Sequence, residues 1–309
     1  MQIYLPIAEI PVNVILVLML GLFTGFLAGM FGIGGGFLAT PLLIFIGIPP
    51  AIAVSTSTNQ IISASISGLL AHLRKGNVDI KMGLFLVLGG FIGSSAGVLI
   101  FKLLQRTGNI DVIIAIVYVL FLGAISFTMI RDSIINFLHS KNSENKKPQN
   151  GKILTKILQI IDKMPYRVYF PKSGIMVSIF VPIILSSGIG ILVALMGIGG
   201  GFLMIPAMVY LLRMPSFVVV GTSLFQIVFI ASNATFLQAI TNNNVDIVLA
   251  SLMIISSAIG AQIGTRAGYK VNANNMRSFL ALMLLGVCIK MLFTLFSEPK
   301  NLFIVEILK

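Results

Sequence analysis

Apolar runs separated by short polar stretches make up almost the whole chain. Most of these runs approach the roughly 20 residues that an α-helix needs to cross a bilayer. One run in each half is shorter, and at about 1.5 Å per residue it reaches only about 18 Å, well short of a hydrocarbon core of about 30 Å. The long runs lie near residues 12–31, 52–73, 80–101, 112–130, 175–196, 217–240, 247–268 and 276–296, and the short runs at 37–48 and 202–213. This pattern predicts an all-α polytopic membrane protein, with each short run as a half-helix.

The composition excludes a soluble domain. Hydrophobic residues make up 57% of the 309 residues and charged residues only 10%, against roughly a quarter charged in a typical soluble domain. The mean hydropathy is +1.04, so the chain has too few charges to cover a surface in water. No Lys or Arg precedes the first apolar run, and we therefore interpret Val12–Phe31 as a mature membrane helix rather than a removed signal peptide.

One stretch, 132–172, departs from this pattern because it is polar and rich in Lys and Arg. It divides the chain into a first membrane repeat, 1–131, and a second membrane repeat, 173–309. Within it, 152–164 carries apolar residues at helical spacing with lysines between them. That spacing suits an amphipathic helix at the membrane surface, and a solvated linker helix fits it equally well.

The two halves of the chain repeat each other. Gly25–Pro41 matches Gly190–Pro206 at an offset of 165 residues, and glycine occupies the same four positions of a five-residue motif in both. The matches continue in the same order with Thr56–Gln60 and Thr222–Gln226, and then with Asn77–Ile80 and Asn244–Ile247. Several matches in one order, at nearly one offset, indicate an internal duplication rather than chance similarity between apolar helices.

Basic residues indicate how the two halves are oriented. The loop at 72–81 carries three of them, whereas the equivalent loop at 239–246 carries none. Because Lys and Arg accumulate in cytoplasmic loops, equivalent loops are expected on opposite sides of the membrane. The sequence therefore predicts two five-segment inverted repeats in a cell membrane, with 132–172 in the cytoplasm and both termini outside. Inverted repeats of this kind are a transporter architecture.

Each half contains a glycine-rich break, Gly32–Gly36 in the first half and Gly197–Gly201 in the second, which we call the first and second elbow. Four glycines in five residues interrupt a helix, and the short helix that follows begins with N–H groups that lack intrahelical partners. Those groups and the positive end of the helix dipole make an anion site without a charged side chain. Close helix packing is the alternative explanation. We expect the anion at Gly32, Gly34, Gly35, Gly36, Gly197, Gly199, Gly200 and Gly201, and we assign close packing to Gly89, Gly90, Gly93, Gly97, Gly260 and Gly264.

Polar side chains follow each elbow on the next long segment. Thr56 and Gln60 lie about one helical turn apart, as do their equivalents Thr222 and Gln226, and Asn59 adds a further amide. Hydroxyl and amide groups can line the path of an anion, or they can hold membrane helices together. Both roles stay open for these five residues, which join the elbows in the candidate substrate site.

Carboxylates are absent from the middle of every apolar run. Asp79, Asp111 and Asp246 each fall where a helix is expected to begin, which suits N-capping. Cation pumps usually need intramembrane acids, so this absence favours an anion as the substrate. Without a cluster of His, Cys or acidic residues, we expect no metal, no cofactor and no enzymatic activity. The net charge of +12 reflects loop topology rather than nucleic-acid binding.

The duplicated motifs resemble those of the TauE/SafE family of sulfite exporter-like membrane proteins. The resemblance rests on the elbow, on a short helix ending at Pro41 or Pro206, on the Thr-Ser…Gln run and on the Asn-Val-Asp that follows it. It covers both halves and implies secondary transport of sulfite, an organosulfonate or another sulfur oxoanion. The second half has Phe225 and Phe229 where the first has an Asn and a Ser, so the binding face is expected to be unequal.

Alternating access around an anion held between the two elbows at mid-membrane is therefore the function we expect. An anion channel using the same elbows is the alternative. A membrane enzyme acting on lipid is disfavoured, because no apolar run offers a candidate acid, base or nucleophile. The bilayer and a small anionic substrate are the expected partners, and a homodimer is compatible with the sequence.

Overall fold

The computed structural model describes residues 2–32, 34–108, 110–139, 161, 164–268 and 273–296, and the chain is mostly helical. The ten helices in these ranges are α1 Val14–Phe31, α2 Gly36–Phe45, α3 Pro50–Arg74, α4 Ile80–Arg106, α5 Ile110–His139, α6 Phe180–Met196, α7 Gly201–Tyr210, α8 Ser216–Asn242, α9 Ile247–Gly268 and α10 Ala273–Phe296. The prediction that the short helices end at Pro41 and Pro206 is wrong, because both prolines lie inside α2 and α7.

Five helices in the described ranges are long and apolar enough to cross a membrane. These segments are Val14–Phe31, Ile80–Arg106, Ile110–Arg131, Phe217–Asn242 and Ile247–Ala267. Helix α3 has 25 residues but carries too many polar side chains to join them by composition. Helices α2 and α7 have 10 residues each, which corresponds to a length of about 15 Å. The chain is thus a helical protein with several candidate membrane spans.

Two short antiparallel hairpins correct the prediction that the protein is all-α. The first hairpin pairs β1 Gln2–Leu5 with β2 Ile10–Asn13 and immediately precedes α1. The second pairs β3 Arg167–Phe170 with β4 Ile175–Ser178 and precedes α6. The predicted spans 12–31 and 175–196 therefore begin as strand rather than helix.

The turns of the two hairpins explain why the chain reverses at these points. Glu9 closes the first turn with a φ of 54° and donates its N–H to Leu5 O over 2.9 Å. Gly174 closes the second turn with a φ of 65° and donates its N–H to Phe170 O over 2.8 Å. A residue in the left-handed region after a short proline-containing loop is a common way to close a hairpin.

Helices of different halves pack side by side through small residues. A Cβ atom added to Gly25 of α1 would lie closer than 3.0 Å to Ser257 of α9, and one added to Gly264 of α9 would meet Phe26 in the same way. Helices α4 and α6 show the same arrangement, in which Gly89 faces the backbone of Ile183 and Gly93 that of Ser187. Backbones approach this closely only where side chains are minimal. The packing role assigned to Gly89, Gly90, Gly93, Gly97, Gly260 and Gly264 is thereby confirmed.

Contacts divide the chain into two compact units. One contains Met1–Ile110 and Asn142–Val271, and it holds both hairpins and both elbows. The other contains Asp111–Lys141 and Asn272–Lys309, and in it the Cys288 thiol of α10 points at Val119 O of α5 over 3.5 Å. The division of the chain into 1–131, 132–172 and 173–309 stays a prediction. Helix α5 continues to His139, and most of the amphipathic segment expected at 152–164 lies outside the described residues.

Candidate functional site

The first elbow ends one helix and starts another through left-handed glycines. Helix α1 stops at Phe31, where Gly32 takes a φ of 68° and donates its N–H to Ala28 O over 2.9 Å. Gly34 and Gly35 also have positive φ angles, of 85° and 68°, and Gly35 is the N-cap of α2. L-residues with side chains rarely adopt these angles, so the glycines are required by the backbone itself.

The second elbow repeats the left-handed conformation of these three glycines. Gly197 ends α6 with a φ of 63° and donates its N–H to Val193 O over 2.8 Å. Gly199 and Gly200 follow with φ angles of 71° and 65°, and Gly200 is the N-cap of α7. The equivalence of the two motifs at an offset of 165 residues therefore extends from sequence to conformation.

The two elbows contact each other. A Cβ atom on Gly36 would lie closer than 3.0 Å to Gly197 O, and one on Gly34 would lie 3.6 Å from Gly199 O. The first turns of the two short helices also meet, since the Phe37 and Phe202 rings have centroids 5.5 Å apart. The structure thus brings together the two sets of glycines predicted to form one site.

A buried isoleucine fills the space beside both elbows. The Ile61 side chain would contact Cβ atoms added to Gly34, Gly36 or Gly199, and Ile61 itself is fully buried. Its equivalent Ile227 lies in the same apolar cluster. The glycine backbone is therefore enclosed by side chains in this conformation rather than open to solvent.

The elbow amides are partly used within the protein. The Gly201 N–H donates to Gly199 O over 2.7 Å, so this amide is not available to a ligand in this conformation. In the first elbow, Gly35 O accepts from the N–H groups of Leu38 and Ala39. The N–H groups of Gly36 and Phe37, which precede these two bonds, have no acceptor inside their own helix because of helix geometry.

Gln60 and Gln226 make the same kind of contact in the two halves. Gln60 is fully buried, and its Nε2 donates to the Thr24 hydroxyl, which itself donates to Leu20 O over 2.7 Å. Gln226 is also buried, and its Nε2 donates to the Ser186 hydroxyl over 2.7 Å. Within the described residues, neither glutamine Oε1 has a hydrogen-bond partner. Because buried polar atoms are normally paired, these two oxygens point to a missing donor.

Thr24 connects Gln60 to the first elbow. Its hydroxyl accepts from Gln60, and its carbonyl oxygen would lie 2.7 Å from a Cβ atom on Gly35. Thr24 and Ser186 were not predicted as site residues. They are not equivalent positions of the repeat, since Ser186 matches Gly21 rather than Thr24 at an offset of 165. Gly21 and Thr24 lie three residues apart, and such positions share a helix face. Thr24 and Ser186 can therefore each reach the glutamine of their own half.

The two threonines hold loops of the opposite half. The Asp246 N–H donates to the Thr56 hydroxyl over 3.2 Å, and the Asp79 N–H donates to the Thr222 hydroxyl over 3.0 Å. Asn59 is half-buried and donates to Thr56 O over 3.4 Å within its own helix. In this conformation, the two threonines make contacts of the kind that hold helices together.

The aspartates cap helices, as expected for two of the three. The Asp79 carboxylate accepts from Met82 N over 3.0 Å at the start of α4, and that of Asp246 accepts from Leu249 N over 3.0 Å at the start of α9. Asp111 lies within the first turn of α5 rather than before it. Capping by Asp79 and Asp246 is confirmed, and both carboxylates are buried, at 2% and 0% exposure.

Comparison with known proteins gives one consistent answer. A family profile described as "Sulfite exporter TauE/SafE" matches residues 17–291. The chain is 27% identical to "Probable membrane transporter protein YunE" of Bacillus subtilis, over 88% of this chain and 94% of that protein. It is 26% identical to "Probable membrane transporter protein YjnA" of the same organism, over 89% and 98%. "Sulfite exporter TauE/SafE family protein 1" of Arabidopsis thaliana is 29% identical over 33% of this chain and 23% of the plant protein. No solved structure matches the chain.

Proposed function

Because this chain belongs to the TauE/SafE family of sulfite exporters and is a membrane transporter, we propose that it is a secondary transporter of a small sulfur oxoanion. Sulfite, an organosulfonate or a related anion binds between the two elbows and is moved by alternating access. The observation that carries this proposal is the contact between the elbows. Two helix starts, each opened by left-handed glycines, meet backbone to backbone in a buried position.

The convergence of α2 and α7 supports an anion as the substrate. Helix N-termini offer N–H donors and the positive end of the dipole, so they bind negative charge without a buried cation. Two such ends face one another at Phe37 and Phe202. In transporters, interrupted membrane helices at matching positions of two repeats commonly build the substrate site.

The reciprocal threonine contacts support an inverted repeat. Thr56, near the start of α3, contacts Asp246, which follows α8, while Thr222, near the start of α8, contacts Asp79, which follows α3. The start of each helix therefore lies beside the end of the other. On this basis the two halves are five-segment inverted repeats, with α2 and α7 as half-helices that begin at the elbows at mid-membrane.

The enclosure of the elbows supports an occluded intermediate of the transport cycle. Ile61 occupies the space between Gly34 and Gly199, so an anion enters only when the elbows separate. This arrangement favours a transporter over an open channel, because alternating access requires a state closed on both sides. Gly32, Gly34, Gly35, Gly36, Gly197, Gly199, Gly200 and Gly201 form the cradle, flanked by Thr56, Asn59, Gln60, Thr222 and Gln226.

The two unpaired glutamine oxygens favour a protonated form of the substrate. Gln60 Nε2 donates to Thr24, and Gln226 Nε2 donates to Ser186. The Oε1 atom of each side chain is an acceptor that takes no part in these bonds. A fully deprotonated oxoanion offers nothing to an acceptor, whereas hydrogensulfite carries one O–H. Binding of hydrogensulfite would satisfy one buried carbonyl oxygen and would couple the movement of sulfite to that of a proton without an intramembrane carboxylate.

Reconstitution of the purified protein in liposomes tests this function. Vesicles loaded with radiolabelled sulfite should release it faster than protein-free vesicles, and unlabelled sulfite outside should accelerate the exchange. The double variant Gly34→Val, Gly199→Val should insert into the membrane but should not transport sulfite. Absence of flux with sulfite, thiosulfate and simple organosulfonates would refute the substrate class. Large unitary currents in planar bilayers would show that the protein is a channel rather than a transporter.

A further inference from the structure

The Asp79 carboxylate divides its two oxygens between two tasks. Its Oδ1 accepts from Met82 N over 3.0 Å and caps α4. Its Oδ2 accepts from the backbone N–H of Ser173 over 3.2 Å and from the Ser173 hydroxyl over 2.5 Å. Ser173 lies in the turn of the second hairpin, so one oxygen serves the helix of the first half and the other holds a hairpin of the second half.

The Asp246 carboxylate divides its oxygens in the same way. Its Oδ1 accepts from Val248 N over 3.1 Å and from Leu249 N over 3.0 Å, and thereby caps α9. Its Oδ2 accepts from Ile7 N over 2.9 Å and Ala8 N over 3.4 Å, in the turn of the first hairpin. Each hairpin is therefore held by the aspartate that belongs to the other half.

The hairpins are themselves a repeated feature. Tyr4-Leu5-Pro6 and Tyr169-Phe170-Pro171 are related by the offset of 165 residues that relates the elbows. Leu5 and Phe170 are both fully buried. The turn residues that meet the two carboxylates, Ala8 and Ser173, are exposed by only 5% and 3%. The two hairpins have equivalent sequences and equivalent contacts, so they are one structural feature that is present in both halves.

The two hairpins lie at opposite ends of α3. The first packs in an apolar cluster with Ile48 and Ile52, at the start of that helix. The second is held by Asp79, just beyond its end at Arg74. From Thr56, which contacts Asp246, to Arg74 the helix rises about 27 Å, which is close to a hydrocarbon thickness of about 30 Å.

Few other polar contacts hold the hairpins. In the described part of the chain, the Asp246 carboxylate supplies the side-chain hydrogen bonds that hold the turn of the first hairpin. At the other end of this hairpin, the Asn13 side chain accepts from Ile15 N over 3.1 Å at the start of α1. The second hairpin gains two exposed contacts, from Lys172 Nζ to Gly76 O over 2.8 Å and from Lys81 Nζ to Tyr169 O over 3.0 Å. Release of either hairpin breaks these few polar bonds and also exposes the apolar side chains that it buries, Leu5 in the first hairpin and Phe170 in the second.

We propose that the two hairpins are lids at the two ends of the transport path, and that each is latched by the aspartate of the opposite half. A lid swings about the junction between its second strand and the following helix, Asn13–Val14 in the first half and Ser178–Phe180 in the second. Release of one lid accompanies closure of the other, as alternating access demands. This inference rests on the proposed transport function.

Replacement of each aspartate by asparagine separates the two tasks. Asparagine caps helices about as well as aspartate, so Oδ1 keeps its role. The amide nitrogen, however, is a donor and would face the N–H groups of the hairpin turn. Asp79→Asn and Asp246→Asn therefore unlatch one lid each while they preserve the helix starts.

A single cysteine reports on the first lid. Ala8→Cys in a Cys288→Ser background places a thiol in the buried turn and keeps the Ala8 N–H that Asp246 binds. The full chain is reconstituted in liposomes, and labelling by N-ethylmaleimide, which reaches both sides, is timed without substrate. Asp246→Asn should speed labelling about tenfold or more, because it removes two hydrogen bonds to a charged group. Asp79→Asn should slow it below the parent rate, because an open second lid closes the first.

Controls make the outcome decisive. Asp111→Asn, which removes the same charge in the first turn of α5, should leave the labelling rate unchanged. If Asp79→Asn does not reach the membrane, Ser173→Ala weakens the same latch and should slow labelling in the same direction. No acceleration with Asp246→Asn, or an unchanged or faster rate with Asp79→Asn, would overturn the proposal. Sulfite flux is measured separately, so altered labelling without flux refutes the substrate, and flux with unaltered labelling refutes the lids.

Discussion

The carbonyl oxygen of Gly197 lies closer than 3.0 Å to the position that a Cβ atom on Gly36 would take. The two elbows therefore touch through bare backbone, and neither can carry a side chain at this contact without displacing the other. The two halves therefore meet at the proposed site through Gly36 and Gly197, and a single methyl group added at position 36 should change both transport and stability.

Gly36→Ala should separate the elbows and impair transport. Gly36 has a helical φ, so the change introduces a clash without the strain of a left-handed angle. Overpacking of this kind costs about 1–3 kcal/mol of stability, and sulfite flux should fall at least tenfold. Flux from proteoliposomes and thermal unfolding in detergent measure the two effects. Gly188→Ala, at a helical glycine where an added Cβ meets nothing within 4 Å, is the matched control and should leave both nearly unchanged.

Ile61→Ala should open a space between the elbows. Truncation of a fully buried isoleucine usually costs about 2–5 kcal/mol of stability, and here the cavity would border the proposed anion site. We expect passive sulfite leakage to rise in proteoliposomes. Ile66→Ala, on the same helix but 42% exposed, should change neither property. A loss of stability without any change in leakage would show that Ile61 only fills the core.

Gln60→Leu and Gln226→Leu should slow sulfite transport strongly and lower the free energy of unfolding only slightly. Each substitution removes one hydrogen bond, worth about 1 kcal/mol. It also removes a buried carbonyl oxygen that has no partner, and this second change offsets part of the loss of stability.

The pH dependence of uptake tests the proposed role of these oxygens. Wild-type uptake should be fastest at low pH, where hydrogensulfite predominates, and should decline as the pH rises and the anion loses its proton. The leucine variants should transport at least tenfold more slowly at low pH.

A third buried glutamine provides the control for this prediction. Gln238 donates to Ala194 O over 3.2 Å and accepts from Asn242 over 2.5 Å, so both ends of its amide are bonded. Gln238→Leu should lower the melting temperature while the pH dependence of uptake persists. If all three variants behave alike, Gln60 and Gln226 serve only to hold helices together.

The proposed orientation can be tested by sided labelling. In a Cys288→Ser background, Glu9→Cys should react with an impermeant maleimide in intact cells, since both termini are proposed to be outside. Lys172→Cys, at the end of the basic stretch, should react only after permeabilisation, as the bias of Lys and Arg towards cytoplasmic loops requires. Both side chains are exposed. The reverse pattern would invert the topology, and labelling of both sites in intact cells would reject the inverted repeat.

The elbows were predictable because glycine has a distinctive role in the backbone. Gly32 and Gly35 have left-handed angles that most residues avoid, and Gly197 and Gly200 repeat them, so a duplicated glycine motif indicated a duplicated conformation. The capping roles of Asp79 and Asp246 followed from their places before apolar runs. The roles of the predicted site residues in binding an anion stay predictions until flux is measured.

The hairpins were missed because four-residue strands are hard to distinguish from the start of an apolar helix. Ile175–Ser178 continues directly into an apolar segment, and no periodicity separates the two. A useful signal was present in the match between Tyr4-Leu5-Pro6 and Tyr169-Phe170-Pro171 at an offset of 165. The hydroxyl partners of the glutamines could not be found this way, because Thr24 and Ser186 occupy different positions of the repeat.

The exchange of helix partners between halves has a consequence for any ancestor of this protein. The glycines of α1 fit α9, and those of α4 fit α6, so each half carries helix surfaces that the other half covers. With the halves inverted as proposed, an ancestral chain of half this length would have to enter the membrane in both directions and pair with a copy of itself in the opposite orientation. Joining two such copies in one chain fixes one copy in each direction and leaves each copy free to differ, as Phe225 and Phe229 do from the residues of the first half.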